Sequence, residues 1–558
     1  MVGQVMRHIG LLFCFCLTAC LEVSGQIVVD GMHVPFDRLA NTFLVTLPAK
    51  DWGKDWQAMV TLEDGTLWQE VEVNGQPVDT LVTFEKVEAG KAYPVTASCG
   101  DSLVQATLEF TYLPIFHLQG EFGMEEAPAN ITLLTPGEVE QGLLAMVKWR
   151  GYTTNDSDKH KRNYRVKFVD KKGKKKDLQF FHLRKDNSWI LDAGQTDLFR
   201  MRNHIAAQLW EDFATKPYYA KEGMEVHTSS RGEIVELFLN DHYAGIFNFC
   251  EPVDRKQMQL VKCDTVTGDI HGGLWKAEGW GDTTFWTLDS VCCDNTLPRW
   301  ADFQLEYPGL DDICPSDYST LYNAIDFVVN CEDEDFAEQI HEYLDVPVFI
   351  DYYIFINLLN AFDLQGKNIF WAVYDKQVDK KLTMAMWDLD TTVGQNYNDL
   401  PPHNELTAYD AFPMLPLKIG WQMMCLNPDD FNQKVRDRYF KLREGIFSAD
   451  SLVARYRSYY DKIHRCGADK REERRWSGDS DIAGLTLDFE SEIEYIEDWL
   501  RHRLDVIDEF FTNPRTGMRN IRMQPGKDDA LYTPLGLRVN EAYKGLVISK
   551  NGRKYIRR

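Results

Sequence analysis

The sequence predicts an α+β protein in which a β-rich segment precedes a larger region of hairpins and helices. Residues 26–115 alternate short strand-like runs, such as TFLVTL and LVQATLEFTYL, with turn signals such as N-G. Residues 116–255 mix strand-like pairs with one stretch of helical periodicity, and helical patterns dominate from residue 318. We therefore expect an immunoglobulin-like β-sandwich over residues 26–115, a mixed domain over 116–514 and a tail over 515–558.

Length, charge and cysteine pattern limit the number of domains, the partners and the metal sites that this sequence can be expected to have. A chain of 558 residues should form two or three domains, and its hydrophobic content of 44% supports packed cores. The formal net charge of −25 argues against nucleic acid or an anionic membrane surface as the main partner. The cysteines show no C-x-x-C or Cys/His ligand spacing, so the cysteine pattern predicts no zinc site.

Residues 1–25 are typical of an export signal. Arg7 precedes an apolar run, residues 9–18, that is too short to span a bilayer. The tetrapeptide L-T-A-C, which ends at Cys20, resembles a bacterial lipobox, whose cysteine becomes lipidated. Cleavage after Gly25 is the alternative. Either way we expect an exported protein, on the outer membrane or cell surface if it is lipidated and periplasmic or secreted if not. The lipid would be its only membrane contact.

The pattern within residues 116–255 predicts a hairpin, a helix and a second hairpin. YRVKFVD-KKGKKK-DLQFFHL is typical of a hairpin with a basic tip. Apolar residues at helical spacing predict a helix over 196–213, with Thr196 or Asp197 as its N-cap. GEIVELFLN-DHYAG-IFNFCEPV predicts the second hairpin.

The remaining segments are assigned by the same criteria. Residues 256–320 are rich in Trp, Gly and Asp, which favours a loop-rich excursion. Helices are predicted from LYNAIDFVVNC, from DFAEQIHEYL, and over residues 430–466 and 487–511, with a charged connector at 470–475. The last forty residues predict three short strands.

The densest signal lies in residues 345–394. A run with few charges, VPVFIDYYIFINLL, predicts a buried helix that delivers Asp363 to its C-terminal end, and IFWAV and LTMAMW predict a hairpin. Asp363 and Asn368 have the five-residue offset of the base and the metal-ligating Asn in the protein-kinase catalytic loop. Asp388 and Asp390 follow one hairpin later, as the metal-binding Asp does in kinases. This pattern points to metal-assisted phosphoryl transfer.

These motifs resemble the CotH (spore coat protein H) kinase family. The resemblance is carried by NAFDLQGKNIFW and MAMWDLDTTVG, and further by RGYTT, KRNYRVKF, LFRMRNHIA, GGLWKAEGW and WLRHRLDVIDEFF, so that it covers most of residues 140–512. It implies an atypical protein-kinase-like, two-lobed domain that transfers phosphate from ATP to Ser on proteins. The C-terminal tail resembles those of secreted Bacteroidetes proteins.

The residue pattern also suggests which residues bind the metal and which residue acts as the base. Asp388 is the expected principal ligand of Mg²⁺ or Mn²⁺, with Asp390 and Asn368 completing an oxygen-rich site and Asp363 acting as the general base. The alternative for Asp390 is a carboxylate that only fixes its own turn.

A cation is also needed on the phosphates. Lys161 and Lys167 both qualify, and their even offset would place them on one strand face, so the sequence does not separate them. Glu251 would pair with that lysine, and Arg150 begins a candidate phosphate-covering loop.

Together, the residue pattern and the family resemblance imply an exported, ATP-dependent and metal-dependent protein kinase that phosphorylates Ser or Thr on protein substrates. Because an exported protein meets little ATP, the alternative is a catalytically weak kinase-fold scaffold or binding module on the cell surface.

Overall fold

The structure is a computed structural model with mixed α and β architecture. It describes residues 27–151, 153–156, 158–288, 297–309, 317–396, 402–403, 417–512, 531–532, 545–549 and 554–557. The α+β class predicted from the sequence is confirmed. The predicted signal segment and Cys20 lie outside the described residues. Among the helices that are described, none is long and apolar enough to cross a membrane.

The N-terminal segment consists of two β-sheets that share one hydrophobic core. One sheet has the order β2-β1-β5-β8 and the other β3-β4-β10-β9-β6-β7. The core between them includes Phe43, Phe84 and Phe110. The β-rich prediction is therefore confirmed, and an immunoglobulin-like topology stays a prediction. The strands are β1 Ile27–Val29, β2 Met32–His33, β3 Phe36–Asp37, β4 Thr42–Thr46, β5 Trp56–Leu62, β6 Gln69–Val73, β7 Gln76–Pro77, β8 Thr80–Phe84, β9 Tyr93–Cys99 and β10 Ser102–Thr111.

A closed seven-stranded barrel follows, in the order β11-β12-β13-β14-β15-β17-β16. It closes because β11 pairs with β16 in parallel, across more than a hundred residues of sequence. The predicted second hairpin is confirmed as β16 and β17. The strands are β11 Ile115–Gln119, β12 Ala127–Thr135, β13 Glu138–Arg150, β14 Asn163–Val169, β15 Ser188–Asp192, β16 Gly232–Leu239 and β17 His242–Cys250.

The predicted first hairpin is wrong in its second strand. The partners of β14 are β13 and β15, whereas DLQFFHL contributes only an isolated bridge between Leu178 and Asp186. Phe180 and Leu183 of this segment are buried in the barrel core. Because these side chains are buried, the segment turns into the barrel interior. The strand β15 (SWILD) pairs with β14 in its place.

The helix predicted over 196–213 begins six residues later, as α1 (Arg202–Phe213). Arg200 has a φ of 60°, a left-handed conformation that an α-helix does not admit. Asp197 still satisfies the start of the helix, because its Oδ2 accepts a 2.7 Å hydrogen bond from the backbone N–H of Arg202.

A five-stranded sheet, ordered β19-β20-β18-β21-β22, carries the predicted central hairpin. That hairpin is confirmed, and three strands come from the region predicted to be loop-rich, which corrects that prediction. These strands are short, and β18 pairs with β21 across a large sequence separation (Trp275 opposite Trp371), so no local pattern reveals them. The strands are β18 Gly273–Ala277, β19 Arg299–Trp300, β20 Phe303–Tyr307, β21 Ile369–Val373 and β22 Thr383–Met386.

Helices surround this sheet and largely match the predicted ones. The helix α4 (Val346–Leu359) has twelve buried side chains, as its apolar sequence predicts. The described helices after α1 are α2 Ser319–Asn330, α3 Asp333–Tyr343, α4 Val346–Leu359, α5 Leu417–Leu426, α6 Phe431–Arg443, α7 Ala449–His464, α8 Ala468–Trp476 and α9 Phe489–Thr512. The three predicted tail strands are present as β23 Leu531–Tyr532, β24 Gly545–Ser549 and β25 Lys554–Arg557.

The segment predicted to be a charged connector at 470–475 is instead part of the helix α8. Two of its charged side chains, Arg471 and Glu472, are buried against the barrel, whereas Lys470 and Arg474 are exposed. Glu472 accepts 2.8 Å hydrogen bonds from Lys161 Nζ and Arg200 Nε, and Arg471 pairs with Glu236 at 2.7 Å. These pairs hold the helices to the barrel, which explains why a charged stretch is ordered.

The sandwich also contacts the barrel. Leu44 of the sandwich packs in one small apolar cluster with Ile115 and Tyr243 of the barrel, and Arg38 pairs with Asp241 at 2.9 Å. The predicted boundary near residue 115 therefore separates two units that share contacts, and the boundary itself stays a prediction.

Candidate active site

The buried helix α4 positions the first polar group of the site. It ends at Asn360, whose φ of 52° is left-handed, and the chain then forms a short 3-10 helix, Phe362–Gln365, that carries Asp363. Asp363 is 5% exposed. Its Oδ2 accepts hydrogen bonds from Asn368 Nδ2 at 3.3 Å and from Lys367 Nζ at 3.0 Å. The predicted D-x-x-x-x-N pair is thus brought into direct contact.

The sheet holds Asn368 in place through its backbone. The N–H of Asn368 donates to the carbonyl of Ala277 at 2.9 Å, and its own carbonyl accepts the N–H of Trp387 at 3.2 Å. Asn368 is therefore tied to β18 on one side and to the end of the hairpin on the other.

Two carboxylates follow the strand β22. Asp388 has a φ of 59°, which is uncommon for a residue with a Cβ and often marks a functional turn. Leu389 is buried between the two acidic residues. The hydroxyl of Thr196 donates to Asp390 Oδ2 at 3.1 Å. The turn thus presents two carboxylates from a single anchored segment.

The barrel supplies a further carboxylate that the sequence reasoning missed. Asp192 ends the strand β15, and Asn203 Nδ2 donates to its Oδ2 at 2.7 Å. Asn203 Oδ1 accepts the backbone N–H of Leu389 at 3.0 Å. The one sequence feature that could have indicated Asp192 is its position as the polar residue at the end of the apolar strand SWILD. Arg202, the neighbour of Asn203, anchors the start of helix α1 by pairing with Asp197 at 2.7 Å.

The carboxylates of this cluster repel one another. Burial, and then the charges of Asp388, Asp192 and Asp363, raise the pKa of Asp390 well above its ordinary value. Burial, and then Asp388, raise the pKa of Asp192 as well. A divalent cation would relieve this repulsion, and carboxylate and amide oxygens are the donors that Mg²⁺ and Mn²⁺ prefer. The chemistry of these donors therefore fits a divalent metal ion.

The cluster opens into a cavity of about 440 Å³. Its lining includes Asp192, Asn203, Asn368, Asp388 and Asp390, together with the backbone or side chains of Gly194, Gln195 and Thr196. Asp363 lies behind this wall, in contact with the lining residues Asn368 and Lys367.

Basic side chains line the same cavity as the carboxylates. The guanidinium of Arg150 lies over the ring of Trp387, 5.1 Å from its centroid. Lys276 and Arg299 lie 3.9 Å and 2.9 Å from the carboxylate of Glu278. One space therefore combines an acidic wall with several cations, the arrangement that a metal-bound polyphosphate requires.

The family model described as CotH kinase protein matches residues 147–507, more than half of the 558-residue chain. The chain belongs to the CotH kinase family. No curated protein matches it. The match spans the cavity-lining residues from Arg150 to Asp390, and membership in the CotH family indicates a kinase-like function. A two-lobed arrangement stays a prediction.

Within the CotH domain, Lys161 lies away from the cavity. It is 1% exposed and its Nζ donates to the carbonyls of Ala193 and Ile246 as well as to Glu472. Burial lowers its pKa to about 8, against the opposing effect of Glu472. Lys161 also precedes the strand β14, so the alternation that would place it on the face of Lys167 does not apply. Its contacts give it a structural role.

Two more of the residues predicted to contact nucleotide, Lys167 and Glu251, also lie away from the cavity. Lys167 pairs with Glu126 on the barrel surface. Glu251 pairs with Arg231 at 2.8 Å and accepts the backbone N–H of Arg184 at 2.6 Å, so its partner is an arginine rather than either predicted lysine. Of the four residues predicted to contact nucleotide, the structure places only Arg150 at the cavity.

Proposed function

We propose that this CotH protein is an ATP-dependent protein kinase that transfers the γ-phosphate of ATP to Ser or Thr of protein substrates, with Mg²⁺ or Mn²⁺ as cofactor. The observation that carries the proposal is the shared cavity, in which Asp192, Asp388 and Asp390 face the same space as Arg150 and Lys276. Phosphoryl transfer depends on positioning and charge neutralisation, and this cavity offers donors for both.

The acidic wall would hold the metal. Asp388 is the principal candidate ligand, and Asp390, Asp192 and Asn368 are its neighbours in the cavity. When bound, the metal supplies positive charge to the phosphate oxygens. Asn203 positions Asp192 and the backbone of Leu389 for this task.

The cations would orient the phosphates. Lys276 projects from the strand β18, and Arg150 is stacked on Trp387, so both start from fixed positions. We assign to them the phosphate contacts that the sequence had assigned to Lys161 or Lys167.

Asp363 is the candidate general base for the acceptor hydroxyl. Its carboxylate lies behind the cavity wall and is oriented by Lys367 and Asn368, which line the cavity, so it would act on an acceptor hydroxyl that reaches it past these two side chains. Lys367 is in addition suited to neutralise the phosphate during transfer.

The proposal includes export, since residues 1–25 are typical of a signal segment and L-T-A-C at Cys20 resembles a lipobox. The substrates would then be proteins outside the cytoplasm.

Calorimetry of ATP binding to the purified mature chain, with and without Mg²⁺, tests the proposal, followed by transfer from γ-labelled ATP to a Ser-rich protein. We expect binding that requires the metal. A chain that binds no ATP at millimolar nucleotide with Mg²⁺ or Mn²⁺ would instead be a kinase-fold scaffold.

A further inference from the structure

Outside the cavity, three side chains converge where the segment after β13 meets the turn after α8. His160, Asp479 and Asp481 each offer one donor atom, and these atoms all lie within 4.8 Å of one another. His160 Nδ1 lies 2.9 Å from Asp479 Oδ2. None of the three lines the cavity described above.

The buried carboxylate of Asp481 has one oxygen that no protein group in the described part of the chain satisfies. It is 2% exposed, and its Oδ2 accepts the backbone N–H groups of His160 at 3.0 Å and Lys161 at 2.7 Å. Its Oδ1 is buried and has no hydrogen-bond partner among the described residues. A buried carboxylate oxygen without a partner is costly, so its retention points to a cation at this position.

An ion pair between His160 and Asp479 does not account for Asp481. Protonated His160 would neutralise Asp479, but Oδ1 of Asp481 would stay without a partner. In the part of the chain that the structure describes, no Lys or Arg side chain forms a salt bridge with either aspartate. A bound cation satisfies all three side chains at once.

We propose that His160, Asp479 and Asp481 bind a divalent transition-metal ion, for which Zn²⁺ is the best-fitting probe. One imidazole nitrogen and two carboxylate oxygens form a donor set that Zn²⁺ accepts, with water at the remaining position. The imidazole disfavours Mg²⁺ and Ca²⁺, which prefer oxygen ligands throughout.

Such an ion would fasten the segment that leads from the cavity to the turn after α8. Thr154, which lines the cavity, lies six residues before His160, while Asp479 caps the 3-10 turn Ser480–Ile482 and Asp481 lies within that turn. His160 lies 319 residues before Asp479 in sequence, so no spacing motif could indicate the site.

Zn²⁺ titration of the full mature chain tests this assignment. All proteins carry Asp388→Asn and Asp390→Asn, which weakens competing metal binding in the cavity, and are freed of metal by EDTA. The variants are His160→Ala and Asp481→Asn. The matched control is His182→Ala, another exposed histidine, 3.9 Å from Glu233.

We expect the parent and the His182→Ala control to bind one Zn²⁺ and to melt at a higher temperature with it. Both site variants should lose at least about tenfold in Zn²⁺ affinity. His160 is more than half exposed, so His160→Ala keeps the test valid even if Asp481→Asn disturbs folding. Three results would overturn the proposal: a parent that binds no Zn²⁺, a His160→Ala variant that binds it like the control, or a loss of melting temperature in His160→Ala that is the same with and without Zn²⁺.

Discussion

Asn203 donates a 2.7 Å hydrogen bond from its side-chain amide to the carboxylate of Asp192. The same amide accepts the backbone N–H of Leu389, the residue between the two acidic side chains of the turn after β22. One side chain on helix α1 thereby links the barrel strand that carries Asp192 to the turn that carries Asp388 and Asp390. The acidic wall depends on this amide, although Asn203 itself carries no charge.

Asn203→Ala should therefore weaken metal-dependent ATP binding by about 10- to 100-fold, the usual effect of removing a residue that orients metal ligands. Calorimetry with Mg²⁺ measures it. Gln208→Ala is the matched control, because Gln208 lies on the same helix and bonds to Tyr459 outside the cavity lining. Equal affinities of the two variants would show that Asn203 does not organise the wall.

Lys276→Ala should raise the Kd for ATP by about tenfold, since it removes a cation from the cavity. Lys167→Ala should leave the Kd unchanged, because Lys167 pairs with Glu126 on the barrel surface. Nucleotide titration of both variants compares the structural assignment with the sequence-based one. Loss of affinity in Lys167→Ala alone would reverse our assignment.

The carboxylate cluster should make the folding stability of the metal-free chain depend on pH. The pKa of Asp390 is raised in the folded state, so the folded state binds a proton more tightly than the unfolded one. Its contribution to stability is therefore lost as pH rises from the ordinary Asp pKa, 3.8, through the raised value. Asp390→Asn should abolish this loss and stabilise the metal-free chain at neutral pH.

Melting temperatures of the wild type and Asp390→Asn, measured across pH with and without Mg²⁺, check this prediction. Mg²⁺ should stabilise the wild type more than the variant at neutral pH, because the variant lacks one negative ligand. A metal-free variant that is less stable than the wild type at neutral pH would contradict the account.

Glu472→Ala should lower the free energy of unfolding by about 3–5 kcal/mol, because it leaves Lys161 and Arg200 buried without their shared carboxylate. Lys470→Ala, which removes an exposed pair with Glu473, should cost less than about 1 kcal/mol. Urea denaturation followed by tryptophan fluorescence measures both. Similar values would mean that α8 does not depend on its buried charges.

The sequence predicted well those elements whose signal is local. The helix α4 and the hairpin after it match because an uncharged apolar run and two short β-runs each indicate their structure without reference to distant residues. The pair of Asp363 and Asn368 was found for the same reason, since five residues separate them.

Contacts between distant segments could not be predicted in this way. Asp192 and Asp388 line one cavity only because the barrel and the central sheet meet, and Lys161 has a buried partner only because Glu472, 311 residues away in sequence, lies on a helix packed against the barrel. The local sequence around Lys161 and around Glu472 would be the same whether these side chains faced solvent, substrate or each other. The local pattern therefore could not predict their contact.

The central claim is that Asp388 contacts metal while Asp363 acts on the acceptor, and one paired measurement tests it. Asp388→Asn should weaken Mg²⁺-dependent ATP binding, because it removes a charge from the cavity wall. Asp363→Asn, behind that wall, should leave ATP binding nearly unchanged while phosphate transfer to a Ser-containing protein falls by about 10² or more. Calorimetry and a transfer assay on both variants would confirm the account if they separate in this way. Equal loss of ATP binding in both would make Asp363 a metal ligand and contradict it.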